Sequence, residues 1–325
     1  MKVNSLRRWC RPRMTLVVSN RSENPAHTLE VVTRMRATRA KVYLVQLPDP
    51  VNTMRGSVDD FPFLVSDTRT TAEDPSVNVT RQAFLWAEIL SEVTIVKNTS
   101  IERVPALADS LGAELVVLTI PAVGLMRFRN GNGFETDLFA SLPLPILTFG
   151  PHMNMSVWNG TDFRRILLPI TFGPDQGLQL RFACRFARRY HGRVTVLHVF
   201  ESRGMDEQPW ERTPVAVEAK LPISELRREG ILCPLEIAVR EGYAARQILN
   251  FHEPKGYDLI IMGGPDLGIP ARGLGHGVTE AVIAEARCPV LMLGRAIESI
   301  SASTDLATDS RLRNTEARVP SPEVN

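Results

Sequence analysis

The chain is short of almost everything that announces a specialised chemistry. Its four cysteines, Cys10, Cys184, Cys233 and Cys288, lie far apart, with no C-x-x-C and no histidine at metal-ligand spacing. That excludes a disulfide framework or a zinc site and fits a reducing, cytoplasmic compartment. No apolar run reaches the roughly 18 residues of a membrane-spanning helix, so no membrane partner is expected. Neither sign of charge dominates: 38 Lys and Arg against 36 Asp and Glu leave a net +2, too little to argue for nucleic acid or an anionic surface. Catalytic signatures are missing as well. There is no G-x-S-x-G, no H-E-x-x-H, no G-x-x-x-x-G-K-[ST], and no G-x-G-x-x-G after an opening strand, so no enzyme is inferred. The terminus MKVNSLRRWCRPR is basic but no apolar signal core follows it. Residues 1–13 are expected to form a disordered basic arm, with Met14 as an alternative start, and the Ser-, Thr-, Asp- and Arg-rich residues 297–325 a disordered tail.

What is present is the composition of a soluble globular protein, 44% hydrophobic and 23% charged over 325 residues, enough for two domains. Met14 to Val18 reads as a buried strand, a helix follows with Leu29, Val32 and Met35 on one face, and Val42 to Leu47 is a second strand. Such short links make a right-handed βαβ unit. Residues 48–78 are polar and proline-rich, a long surface loop. A helix at 80–90, a strand at 93–97, a helix at 101–111 and strands at 115–118 and 145–149 complete the first half. Residues 151–162 lack periodicity and form the linker. The pattern then restarts with strands at 166–170, 194–199 and 235–239 and helices at 215–228 and 244–251. Leu178, Phe182, Phe186 and Tyr190 share one helical face, while Arg181, Arg185, Arg188 and Arg189 read as a solvated face, nucleic acid being disfavoured because no aromatic platform interleaves with them.

The two halves repeat one another. At an offset of 144, residues 114–150 align with 258–294 without gaps at nine identities in 37 positions, among them Pro121 with Pro265, Gly131 with Gly275 and Gly150 with Gly294. Unrelated sequences would give about two. Strands one and two match at an offset of 152. Domains at 14–150 and 163–296 follow from this.

The most informative stretch runs from Asp258 to Gly294: an apolar strand, six glycines between Gly263 and Gly277, a helix opening Val278-Thr279-Glu280, and a last strand beginning Cys288-Pro289-Val290. A strand feeding a glycine loop and a helix N-terminus can receive an anion. With Met262-Gly263 at the strand end, this stretch resembles the C-terminal half of a universal stress protein domain, and the repeat makes the chain resemble a tandem member of that family. The resemblance implies two doubly wound α/β units of the adenine nucleotide alpha hydrolase-like kind. Each would be a five-stranded parallel sheet of order 3-2-1-4-5, with any ligand beyond the strand C-termini at the switch between strands one and four. It also implies pairing of the two fifth strands, an intramolecular pseudo-dimer that hides two edges. Homodimers of the whole chain and an unidentified protein partner are further expectations.

ATP-binding members carry an Asp at the end of strand one; its place falls on Thr171 and, in the first half, Ser19. The nucleotide-site candidates are Pro169, Ile170 and Thr171, then Met262, Gly263, Gly264, Gly268, Arg272, Gly275, His276, Gly277 and Val278. The loop departs from the family spacing G-x2-G-x9-G-[ST], with Asp266 at the second glycine and His276-Gly277 at the last pair. His198 reads as a core or strand-end histidine, Cys184 and Cys288 as buried small residues, and Thr171 and Asp258 as neighbours at one end of the sheet. Two readings follow. One is a stress-response regulator or scaffold without catalysis of its own, nucleotide binding being lost or confined to the second half. The other is an ATP-binding switch in which ATP with Mg2+ orders the 263–277 loop, with slow hydrolysis as an extension.

Overall fold

The computed structural model describes residues 10, 12–20, 28, 31–32, 35, 40–47, 64–65, 93–96, 101–120, 141–153, 163–173, 175–200, 212–263 and 277–294. The expectations for the rest of the 48–78 loop, the helix at 80–90, the linker beyond residue 153, the glycine loop at 264–276 and the tail lie outside them. Among these residues eleven strands make one sheet. They are β1 (Met14–Asn20), β2 (Lys41–Leu47), β3 (Leu64–Val65), β4 (Val93–Val96), β5 (Leu115–Thr119), β6 (Ile146–Phe149), β7 (Arg165–Ile170), β8 (Arg193–Phe200), β9 (Leu235–Glu241), β10 (Leu259–Met262) and β11 (Val290–Met292). Their order is β3-β4-β2-β1-β5-β6-β11-β10-β7-β8-β9. Among the described residues the α-helices are α1 (Val104–Leu111), α2 (Gln176–Arg189), α3 (Pro214–Ala219), α4 (Ile223–Arg228), α5 (Ala244–Lys255) and α6 (Val278–Glu285).

Short apolar runs become strands here because both faces of the sheet are covered. All described residues of β6, β10 and β11 are buried. Alternate side chains enter two layers. Val17, Val117, Leu147, Ile166 and Leu291 join Phe182 and Phe186 of α2 on one face; Leu16, Val116, Ile146, Leu167 and Val290 join α1, α5 and α6 on the other. Val31, Val32 and Met35 are helical and buried against the first layer, as the apolar spacing predicts for Val32 and Met35.

Strands β4-β2-β1-β5-β6 and β9-β8-β7-β10-β11 run in the same chain order, parallel within each set. Where they meet, β11 pairs antiparallel with β6: Val290 faces Thr148, Leu291 faces Leu147 and Met292 faces Ile146. Because Leu147 and Leu291 are also repeat-equivalent, this ladder is two-fold about their contact. The buried Thr148 hydroxyl donates to the Val290 carbonyl at 2.9 Å. Gly150 then passes under α6 so closely that a Cβ there would lie 2.3 Å from the Ile283 carbonyl oxygen.

At the strand N-termini both halves use the same device. Gly112 and Gly256, at φ 64° and 59°, end α1 and α5 in the left-handed conformation that glycine adopts without strain. Two residues on, Glu114 accepts the Arg13 N–H at 2.7 Å, and Asp258 accepts those of Arg164 and Arg165 at 2.9 and 2.8 Å. The N–H of Glu114 donates to the Met14 carbonyl, and that of Asp258 to the Arg165 carbonyl. A carboxylate thus clasps the start of strand one to the start of strand four in each half.

Several expectations need correction. The ladders pair Met14 with Lys41 and Arg165 with Arg193, so strand two repeats at 152 but strand one at 151. Leu64 and Val65, inside the expected surface loop, pair antiparallel with β4. Cys10 and Pro12 are buried, so the arm read over 1–13 is anchored at its C-terminal end. The helix expected over 215–228 is two, because Pro222 lacks an N–H and disfavours helical backbone at Leu221. Nor is the arginine set simply solvated: Arg181 pairs with Glu225 at 2.7 Å and with Glu229, and Arg188 donates to the Gly230 carbonyl. Pairs this exposed contribute a few tenths of a kcal/mol. Burial of Phe182 and Phe186, at about 1.5–3 kcal/mol each, decides where α2 docks.

Two predictions follow from this packing. Gly150→Ala must push α6 off the seam and is expected to cost about 1–3 kcal/mol in urea unfolding. Gly173→Ala, with no atom within 4 Å of the new methyl, should stay within about 0.5 kcal/mol. All four cysteines are buried. Burial pushes the Cys10 thiol up to about 12 against the pull of Arg185 and Arg189, and pushes Cys288 up with help from Asp258. A raised thiol contributes its full stability below the unfolded value, about 8.5, and loses it as pH rises beyond. The urea midpoint should therefore fall above that pH, less so in Cys10→Ala, and thiol labelling at neutral pH should wait for global unfolding.

Candidate functional site

Chain order reverses between β7 and β10: from β7 the sheet passes to β8 on one side and β10 on the other. The strand C-termini at this switch form the crevice where ligands of such folds sit. Pro169 and Ile170 end β7 with Thr171 just after them, and Met262 ends β10 alongside with Gly263 just after it, so five of the candidates reach one end of the sheet. Thr171 is exposed, Ile170 and Met262 are buried. Gly277 caps the N-terminus of α6 with extended backbone, and Val278 opens the helix half-buried. Gly264, Gly268, Arg272, Gly275 and His276 lie outside the described residues.

Side chains not singled out by spacing occupy much of this edge. The Gln179 side chain, from the first turn of α2, lies against Gly263, where a Cβ would come within 2.5 Å of its amide nitrogen. Gln176 donates to the Lys220 carbonyl at 3.2 Å, while its buried side-chain oxygen meets no hydrogen-bond partner among the described residues. Lys220 Nζ stands 4.7 Å over the Phe172 ring. Phe172 and Phe200 flank the His198 ring, each with centroids 4.4 Å away. His198 is buried, and its Nδ1 donates to the Ile170 carbonyl at 3.0 Å, which makes it a strand-end tether. At the other wall Glu280 folds back onto Gly277, its buried Oε2 meeting no hydrogen-bond partner among the described residues.

Asp258 is not part of this site. It precedes β10 and clasps the start of β7, so it stands at the opposite end of the sheet from Thr171. In the first half the 151 register sets Asn20, not Ser19, against Thr171. Thr119 occupies the place of Gly263, its hydroxyl donating to the Val18 carbonyl at 3.4 Å. Cys288 sits 3.9 Å from His252 Nδ1, but both are buried in the core. Among the described residues no group of three or more His, Cys, Asp or Glu side chains could hold a metal ion, and no helix is long and apolar enough to cross a membrane.

This arrangement matches known proteins. The family profile described as the universal stress protein family matches residues 162–294. A universal stress protein of Methanocaldococcus jannaschii, MJ0531, is 30% identical over 159 residues, which cover 43% of this chain and 88% of that protein. Among solved structures, a universal stress protein of Archaeoglobus fulgidus superimposes with a TM-score of 0.58 at 15% identity, over 87% of this chain and 96% of its own. A functionally unknown protein of Pseudomonas aeruginosa, PA1789, does so at 0.58 and 14%, over 91% and 97%. On the repeated α/β sheet, the residues it brings to the switch point and these likenesses, the chain belongs to the universal stress protein family.

Proposed function

We propose that this protein is a stress-response regulator or scaffold that acts through an unidentified protein partner and carries no catalysis of its own. The observation that carries this reading is the Gln179 side chain lying on Gly263, the glycine whose backbone would have to approach a phosphate. Three further features support it. Thr171 stands where nucleotide-binding members of the family carry a carboxylate for the base and ribose, and a hydroxyl accepts more weakly than an ionised oxygen. Phe172 packs at a tilt against His198 and carries Lys220 Nζ over its ring, where a planar ligand would have to lie. The Glu280 carboxylate already lies at the α6 N-terminus, where an anion would gain most. The two halves then act as a pseudo-dimer within one chain, joined through β6 and β11, which presents both units in a fixed relation to a partner.

The second reading, an ATP-binding switch of the second half, is favoured by one feature: Gly277 supplies no side-chain cap to α6, so an anion that displaced the Glu280 carboxylate would meet the first N–H groups of the helix. Calorimetric titration with ATP and Mg2+ separates the two. No heat of binding at millimolar ATP is expected for the wild-type chain. Gln179→Ala clears the space over Gly263, and binding that appears only in this variant would mark Gln179 as the block. Micromolar wild-type binding that Gly263→Val abolishes would overturn the first reading in favour of the second.

A further inference from the structure

The turn between α4 and β9 is held in a fixed position against α2. Gly230, at φ 64°, lets the chain turn back after α4. The N–H groups of Ile231 and Leu232 then both donate to the Leu226 carbonyl, and the Pro234 carbonyl accepts the Val194 N–H. Cys233 lies between these anchors, so its backbone is fixed on both sides. Facing it, Arg181, Cys184 and Arg188 share one side of α2. Arg181 pairs with Glu225 and Glu229, and Arg188 donates to the Gly230 carbonyl, so this side of the helix is bound to the α4–β9 connection before and after Cys184. Between those contacts the Cys233 thiol donates to the Cys184 sulfur.

Two thiols in hydrogen-bond contact on anchored backbones need little movement to reach bonding distance. Their environments also divide the roles. The hydrogen bond from Cys233 holds the Cys184 thiol below its ordinary value against burial, with a smaller pull from Arg188. That same hydrogen bond, together with burial, pushes the Cys233 thiol up. Cys184 is therefore the sulfur that ionises and attacks, and Cys233 the one that resolves. Cys184 is wholly buried and Cys233 keeps 6% of its surface exposed, an opening that suits an oxidant close to water in size and no bulkier thiol reagent. The other two cysteines are set apart from the pair, Cys10 near Arg185 and Arg189 and Cys288 beside His252. A bond from Cys184 to Cys233 would tie α2, which carries Gln179 over Gly263, to the start of β9.

We propose that Cys184 and Cys233 form a reversible disulfide site for hydrogen peroxide. The Cys184 thiolate attacks one peroxide oxygen, the O–O bond breaks, and the departing hydroxide takes up a proton as water. The Cys233 sulfur then attacks the sulfenic sulfur, the S–O bond breaks, and the oxygen leaves as a second water with the Cys233 proton. Two thiols are oxidised to one disulfide while the peroxide is reduced to water, and a dithiol reductant reverses the change. Oxidation of the folded, full-length protein tests it. The reduced chain is treated with peroxide at neutral pH, freed of the reagent, unfolded, alkylated and mapped by peptide mass. Cys184 and Cys233 should escape alkylation as one cross-linked pair and alkylate again after reduction, while Cys10 and Cys288 alkylate throughout. The cross-link should form roughly tenfold or more faster than a maleimide labels either thiol in the folded chain, since the maleimide waits for unfolding. Replacing Cys10 and Cys288 together by Ala should leave that rate unchanged, and Cys184→Ala or Cys233→Ala should abolish the cross-link. The wild-type map decides even where a variant fails to fold. Four thiols that all alkylate after peroxide, a cross-link through Cys10 or Cys288, or cross-linking no faster than maleimide labelling would each overturn the proposal.

Discussion

The antiparallel ladder between β6 and β11 is the contact on which the rest of the molecule depends. Each half alone would end in a short, wholly buried strand with a row of unpaired backbone groups, an arrangement that recruits other chains. Pairing the two edges satisfies those groups with each other. It also makes the core layers continuous: Leu147 and Leu291 lie in one cluster with Val17 of the first half and Ile166 of the second. The contact is directional as well as apolar. Thr148 fixes the register through a buried hydrogen bond, and the closeness of Gly150 to Ile283 locks α6 of one half over the end of the other.

Much of this was legible in the sequence because it rests on patterns that local chemistry enforces. Buried strands read as apolar runs, and the 144-residue offset aligned the glycines and prolines that shape turns. What was missed depends on tertiary geometry. One residue more between strands one and two shifts the register to 151, and no side chain near β1 or β7 signals it. Asp258 looked like a neighbour of Thr171 because both flank strands that lie side by side. The strands are parallel, however, so a residue before one and a residue after the other stand at opposite ends. Arg181 and Arg188 have the periodicity of a solvent face, and only the break at Pro222 brings Glu225, Glu229 and Gly230 within their reach. Gln179, which shapes the crevice most directly, carries no motif. A signal existed only in its place, one turn into the helix that follows strand one.

The two ends of the sheet differ in how closely the halves agree. At the strand N-termini the halves agree in mechanism: a left-handed glycine ends a helix, a buried residue follows, and a carboxylate clasps strand one. Glu114 and Asp258 differ in length yet accept equivalent N–H groups, so what recurs is the hydrogen bond and not the residue. This is the behaviour of a feature that holds the fold. At the strand C-termini the halves part. Thr119 fills with a bonded hydroxyl the position that Gly263 leaves bare, and Gln179 then covers the bare position in the second half. By two different routes both crevices end up lined by the chain's own side chains. A structural requirement would keep one solution, as the clasp does. Two solutions at equivalent positions mark the strand C-termini as the end of the sheet where the halves vary, while the shared clasp at the strand N-termini holds the fold.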